Sequence, residues 1–239
     1  MPLDSRQLTG RDDSHLVALP DGHRLQTEVA EAFRRLQSDA VKAGFDLAIA
    51  SSFRSFDRQL QIWNDKAAGR RPVHDDRGRP VAMAALSDSE KVQAILRYSA
   101  LPGASRHHWG TDLDVYDAAA LEEPARLRLV PEEVAPGGIF DPLHRWLDER
   151  MAAGESHGFY RPYGRDCGGV APERWHLSYA PLSVACAGHL NAALLRRCWH
   201  GEPGSERLLL CSQVEASLDA ILRRYVEVEE SWCPACYRD

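Results

Sequence analysis

Two histidines, a glycine and three acids crowd into "SRHHWGTDLDVYD", Ser105 to Asp117. Imidazole nitrogens and carboxylate oxygens together are the ligands of a cation such as zinc. Read as a strand from about Thr111, the stretch puts Asp112, Asp114 and Tyr116 on one face and Leu113 and Val115 on the other. An acidic face backed by aliphatic side chains needs a reason: solvent, a cation, or an arginine. His107 lies in the loop that leads into this strand. A second stretch, "PERWHLSYAP", alternates Trp175, Leu177 and Tyr179 against His176, Ser178 and Ala180, which is strand periodicity, and Glu173 lies three residues before His176. His107, Asp114 and His176 form a candidate ligand set. Two imidazoles and one carboxylate leave a fourth position open, as catalytic zinc sites do. A glutamate beside the ligands, here Glu173, is what a zinc hydrolase uses to take a proton from water. The plainer alternative makes His107 and His108 loop residues and His176 a hydrogen-bonded histidine in a sheet. Spacing alone leaves both open.

The elements that must position these residues follow from pattern. Apolar residues at Leu25, Val29, Ala32, Phe33, Leu36 and Ala40 predict a helix closed by Gly44. "FDLAIASSF" reads as a strand and "SFDRQLQIWNDKAAG" as a helix ending at Gly69. Residues 70–86 are polar and turn-rich and read as a mobile loop. Ser87 and Glu90 form a capping-box pattern for a helix to about Tyr98. Residues 117–138, with three prolines, read as an insertion; Asp141-Pro142 then caps a helix that Gly154 ends. After Pro181 the pattern is helical over 183–199 and again over 211–228. Helices and strands mixed without regular βαβ alternation predict an α+β fold.

Bulk properties narrow the functional classes. The chain has 239 residues, 29 Lys and Arg against 35 Asp and Glu, a formal charge of −6, and no basic block. Nucleic acid and anionic membranes are therefore poor partners. No apolar run reaches a membrane span, and the first residues carry no basic segment followed by an apolar run. A cytoplasmic location is expected, or a periplasmic one if a leader precedes this sequence. A chain this long buries a core without staples, so a metal here serves chemistry rather than folding. Six cysteines are scattered at Cys167, Cys186, Cys198, Cys211, Cys233 and Cys236, and read as thiols rather than a disulfide framework. Cys233-Pro-Ala-Cys236 is an isolated pair and a weak metal or redox signal.

Three motifs together match a family. "SRHHWGTDLD" resembles the S-x-H-x-x-G-x-x-x-D motif of VanY-type D-Ala-D-Ala carboxypeptidases, and "ERWH" resembles their E-x-W-H signature. "SSFRSFDRQ" is similar to their upstream S-x-[YF]-R-S-x-x-x-Q segment. The resemblance covers about residues 45–180. It implies zinc (Zn2+) as cofactor, His107, Asp114 and His176 as its ligands, and Glu173 as the catalytic base. It makes Arg54 the residue that polarises the scissile carbonyl or holds a substrate carboxylate, and puts Ser105 and Gln59 along the substrate cleft. Outside the motif, Arg54 would read as a surface ion pair with Asp57 or another acid. The implied fold is a small antiparallel sheet carrying the metal, packed by helices, as in hedgehog zinc domains and lysostaphin-like endopeptidases. A carboxypeptidase-like domain over 1–182 and a helical extension over 183–239, packed on the same domain, are expected.

Two features depart from the pattern. The family commonly has a small residue where this chain has Asp112, which could orient His107 or His108, add negative charge, or replace a ligand. His108 rivals His107, but the motif spacing favours His107. The helical extension is the second departure. The function implied is removal of the terminal D-alanine of a peptidoglycan-derived peptide or dipeptide. The alternatives are an L,D-carboxypeptidase, an endolysin-type wall endopeptidase, and a zinc-bound binding module without turnover.

Overall fold

The computed structural model describes residues 2–121, 127–200 and 206–228. Cys233 and Cys236 lie outside these residues. In chain order the elements are α1 (Ser5–Leu8), β1 (Val17–Ala18), β2 (Arg24–Leu25), α2 (Thr27–Lys42), β3 (Leu47–Ser51), α3 (Phe56–Ala67), α4 (Asp88–Leu96) and β4 (Asp112–Asp117). They continue with α5 (Pro131–Val134), α6 (Asp141–Ala152), β5 (Phe159–Tyr160), β6 (His176–Tyr179), α7 (Ala180–His189), α8 (Ala192–His200), α9 (Cys211–Ala216) and α10 (Leu218–Ile221). The fold is α+β. No helix among the described residues is long and apolar enough to cross a membrane.

Four strands form one antiparallel sheet in the order β3-β4-β6-β5. Its apolar side is closed by α2 and α6: Val29, Phe33 and Leu36 of α2 and Leu143 and Leu147 of α6 bury against Leu47, Leu113, Val115, Phe159 and Leu177. Full burial of such a side chain stabilises the fold by roughly 1.5–3 kcal/mol, so Leu113 and Val115 fix which face of β4 looks inward. Period two then sends Asp112 and Asp114 to the opposite face. The β4–β6 register sets Asp114 opposite His176 and Asp112 opposite Ser178. Two motifs far apart in sequence become neighbours by strand pairing. On the other side of β4, Ser51 pairs with Asp114 after a bulge beyond Ile49. A bulge bends its strand and re-aims the residues after it; here the chain turns from β3 toward Arg54.

A second apolar cluster joins α3 and α4 to the C-terminal segments. Phe56, Leu60, Trp63, Ile95 and Leu96 pack with Leu195, Val214, Leu218 and Ile221. Trp63 Nε1 donates to the Leu209 carbonyl at 2.9 Å, and the Asn64 side chain spans to Glu206, Arg207 and Leu209. The helix starts agree with their sequence signals. Ser55 accepts from Arg58 N at α3, and Ser87 and Glu90 close a reciprocal capping box at α4.

Several boundaries differ from expectation. The helix over 183–199 is two, α7 and α8, separated at Leu190 and Asn191; Asn191 Oδ1 accepts from Leu194 N and starts α8 afresh. The helix over 211–228 breaks at Ser217, between α9 and α10, and ends in a π turn at Leu222–Val226. Residues 70–86 are built around Asp75, which accepts from Arg77 N and Arg79 N, with a bridge between His74 and Pro80 and with Val73 and Met83 buried. Asp141 is the first residue of α6, not its cap, and accepts instead from Gly137 N and Arg174.

Candidate metal centre

Asp114, His107 and His176 converge on the polar side of the sheet, all buried. His107 Nε2 lies 3.5 Å from Asp114 Oδ2, and His176 Nδ1 lies 3.1 Å from Asp114 Oδ1. The two rings meet edge to face with centroids 4.9 Å apart. What faces the centre is decided by what the far side of each ring does. His107 Nδ1 lies 2.9 Å from the Ser52 carbonyl, which accepts only from an N–H. His176 Nε2 lies 3.0 Å from Asp112 Oδ1, likewise an acceptor. Each imidazole therefore donates one N–H outward, and the nitrogen that faces Asp114 is the one able to give its lone pair to a cation. Asp114 Oδ1 is buried and has no hydrogen-bond partner among the described residues. Two imidazoles and a carboxylate, enclosed and with ligand-type atoms within 4.8 Å of one another, suit a divalent cation.

The local fold explains these positions. Arg106–Trp109 make a single 3-10 turn, which presents His107 and His108 in different directions. Gly110 comes next with a φ of 66°, a left-handed conformation that favours glycine and leads the chain into β4. His108 points away from the centre and clasps two loops. Its Nδ1–H donates to the Arg54 carbonyl at 2.6 Å, while Nε2 accepts from Gly103 N at 3.0 Å. Burial pushes its pKa down to about 3, so it stays neutral. Gly10 passes so close that a Cβ there would stand 2.4 Å from His108 Nδ1.

Glu173 stands beside the donors without joining them. Its Oε2 is 3.7 Å from His176 Nδ1, and its backbone ties Tyr163 to His176 by donating to the Tyr163 carbonyl and accepting from His176 N. Burial pushes its carboxyl up to about 7; His176 opposes this and Asp114 adds to it. Asp114 remains ionised: burial disfavours its charge, but His107 and His176 more than offset that. For His176, burial lowers the pKa, yet the Asp112 hydrogen bond and the Asp114 carboxylate outweigh it and raise it to about 9; the proton this ring carries toward Asp114 is the one a bound cation would replace.

Arg54 does not pair with Asp57. Its Nη1 donates to Gln59 Oε1 at 2.9 Å and its Nη2 to Ser51 Oγ at 3.3 Å. Burial lowers its pKa against the pull of Asp114 and Glu173, but a guanidinium stays charged in proteins. Gln59 is fully buried, with its amide nitrogen on the Ala100 carbonyl, so it reaches the site through Arg54 rather than as an open cleft wall. Ser105 is 2% exposed at the start of the 3-10 turn, where its carbonyl accepts from His108 N.

Asp112 has a different partner from those expected. It touches neither His107 nor His108; it holds His176 and pairs with Arg106. The acidic face of β4 thus has two reasons at once, an arginine for Asp112 and a cation site at Asp114. Arg106 escaped the sequence reading because it looked like loop, although an unexplained buried-side acid was itself a signal for an arginine. Lys66 and Tyr163 carried no signal. Lys66 Nζ donates to Ser99 Oγ at 2.6 Å, and burial pushes its pKa down to about 8. The Tyr163 ring packs edge to face on His176 at 5.1 Å.

A further trio, His200, Cys211 and Glu215, brings ligand-type atoms equally close. It is partly open to solvent, with His200 exposed and its Nε2 2.8 Å from Glu215 Oε1.

The model of the VanY family, D-alanyl-D-alanine carboxypeptidase, matches residues 22–182. The chain belongs to this family. An uncharacterized protein of Haemophilus influenzae is 50% identical over 105 residues, 42% of this chain and 72% of that protein. Among solved structures, VanYB in complex with D-alanine-D-alanine is similar in fold, with a TM-score of 0.50 and 21% identity, covering 80% of this chain and 92% of that one. A mutant of the vancomycin-resistance D,D-pentapeptidase VanY in complex with Zn(II) has the same TM-score of 0.50 and 21% identity, over 89% of this chain and 93% of that one.

Proposed function

We propose that the protein is a zinc-dependent D,D-carboxypeptidase that hydrolyses the terminal peptide bond of peptidoglycan stem peptides or of the D-Ala-D-Ala dipeptide. The observation that carries this reading is the Asp114 oxygen, without a hydrogen-bond partner among the described residues, facing two imidazoles that each donate an N–H to an acceptor on their far side. Family membership supports the peptidase class. The Zn(II) and D-alanine-D-alanine complexes of the two structural neighbours support the metal and the substrate end.

His107, Asp114 and His176 would hold the zinc, which when bound supplies a Lewis acid and lowers the pKa of water toward neutrality. Glu173 takes the proton of the attacking water on its carboxylate and returns it to the leaving amine. Arg54, held by Gln59 and Ser51, offers a fixed positive charge to the oxyanion or to the substrate carboxylate. Ser105, buried at the start of the 3-10 turn, is a substrate-binding residue on the family motif alone. No covalent intermediate is required, so neither Ser105 nor a cysteine acts as nucleophile.

Mass spectrometry of the zinc-loaded protein with peptides ending in D-Ala-D-Ala, L-Lys-D-Ala and diaminopimelyl-D-Ala tests the proposal. Loss of one alanine from the D-Ala-D-Ala peptide is expected. Alanine loss from the other two alone makes it an L,D-carboxypeptidase, and internal fragments make it an endopeptidase. No product from a zinc-bound chain makes it a binding module.

A further inference from the structure

Asp112 sits where the resemblance to the family breaks, and its contacts explain what a carboxylate does there. Oδ1 accepts from Arg106 Nε at 2.7 Å and from His176 Nε2 at 3.0 Å, and Oδ2 accepts from Thr111 Oγ1 at 2.6 Å. Both oxygens are engaged on the side of His176 remote from Asp114, so Asp112 is not a rival ligand. Arg106 extends the chain of contacts. Its Nη2 donates to Tyr160 Oη on β5 at 3.0 Å and to Ser178 Oγ on β6 at 2.7 Å, and Ser178 Oγ donates to Ser183 Oγ on α7 at 2.9 Å. Its guanidinium also lies 4.8 Å over the Trp109 ring. Arg106 and Asp112 are both buried, with 2% and 0% of their side chains exposed.

A buried ion pair is weak evidence for stability, because an apolar pair of like volume serves a core as well or better. What the apolar pair cannot do is accept the His176 N–H. We infer that Asp112 and Arg106 are positioning residues for the metal centre: Asp112 locks the His176 ring with Nδ1 toward Asp114, and Arg106 anchors Asp112 to β5, β6 and α7. The inference rests on the zinc reading above. It also gives the first turn of α7, at the edge of the family-matched span, a line of contact to a metal ligand. Partners of this kind behind a ligating histidine are worth about 10–100-fold in metal affinity.

Removing Asp112 alone strands a buried guanidinium, so the test removes both charges. Zn2+ affinity is measured by competition with a chelator for the wild type, for Asp112→Ala with Arg106→Leu, and for Asp112→Asn with Arg106→Gln. Circular dichroism and an unfolding midpoint check the fold. The Ala/Leu variant is expected to bind Zn2+ roughly 10–100-fold more weakly. The Asn/Gln variant keeps an acceptor for the imidazole N–H and is expected to recover most of that loss. The visible spectrum of the Co2+ form should shift in the Ala/Leu variant and stay close to wild type in the Asn/Gln variant. Wild-type Zn2+ affinity in the Ala/Leu variant overturns the inference while leaving the zinc reading intact. A wild-type chain that takes up no Zn2+ overturns both.

Discussion

Around His176 and around His144 the protein buries the same kinds of side chain, arginine, aspartate and histidine, to opposite ends. In the first cluster the cation Arg106 is spent on Asp112, and the centre gathers ligand-type atoms: two imidazole nitrogens and an Asp114 oxygen with no hydrogen-bond partner among the described residues. In the second, Arg161 and Arg174 share Asp148, and Arg174 also holds Asp141 at 2.7 Å. There the unpartnered atoms among the described residues are Arg161 Nη1 and His144 Nε2. Burial, then Arg161 and Arg174, push the pKa of His144 down to about 2, so this histidine is neutral beside two cations. A guanidinium N–H without a partner calls for an acceptor; a carboxylate oxygen without one calls for a cation. Burial of charge does not distinguish the two places. The sign of the missing partner does.

Breaking the functional cluster should have the largest effect. Glu173→Ala is expected to lower turnover by on the order of 10²–10⁴ while zinc content stays unchanged, whereas His144→Ala leaves turnover at the wild-type level. Steady-state kinetics with metal analysis check both, and unaffected turnover in Glu173→Ala removes the role assigned to it. Ligand removal comes next. His107→Ala and His176→Ala should each lose bound zinc, and His108→Ala should keep it. His108→Ala should still cost stability, about 1–3 kcal/mol by denaturant unfolding, because the Gly103 N–H and the Arg54 carbonyl lose a buried partner. Zinc loss on removing His108 alone would shift the ligand assignment by one residue.

The second cluster should answer in stability only. Asp148→Ala removes a partner from both Arg161 and Arg174, and Asp148 is 44% exposed, so water makes up part of the loss. About 1–3 kcal/mol of destabilisation is expected, with zinc affinity unchanged. The smallest effect belongs to an open cluster at the surface. Asp166 hydrogen-bonds Arg97, which lowers its carboxyl from the ordinary value of 3.8 to about 2. A folded-state pKa below the unfolded one contributes stability above pH 3.8 that is lost as pH falls through 2. Unfolding midpoints across that window should fall in the wild type, and Asp166→Asn should flatten the slope.

The sheet and its two faces were legible because period two is a strong signal: Leu113 and Val115 against Asp112 and Asp114 settle which side carries polar chemistry. The helices at Thr27–Lys42, Phe56–Ala67 and Asp88–Leu96 were legible from stripes and caps. The C-terminal helices were legible as helical but not as broken at Asn191 and Ser217, since the apolar stripe runs on across both. The convergence of Asp114 with His176 rests on strand register, which neither motif encodes alone. Arg106 and Gln59 act through other residues, Asp112 and Arg54, and a side chain's partner in space leaves no periodic trace in sequence.

The most direct measurement of the central claim is the zinc content of purified, zinc-equilibrated protein, wild type against Asp114→Ala, at matched folded fraction. The enclosed donor set predicts that Asp114→Ala loses the tightly held zinc ion that the wild type retains through dialysis. Equal zinc retention in the two proteins would contradict it.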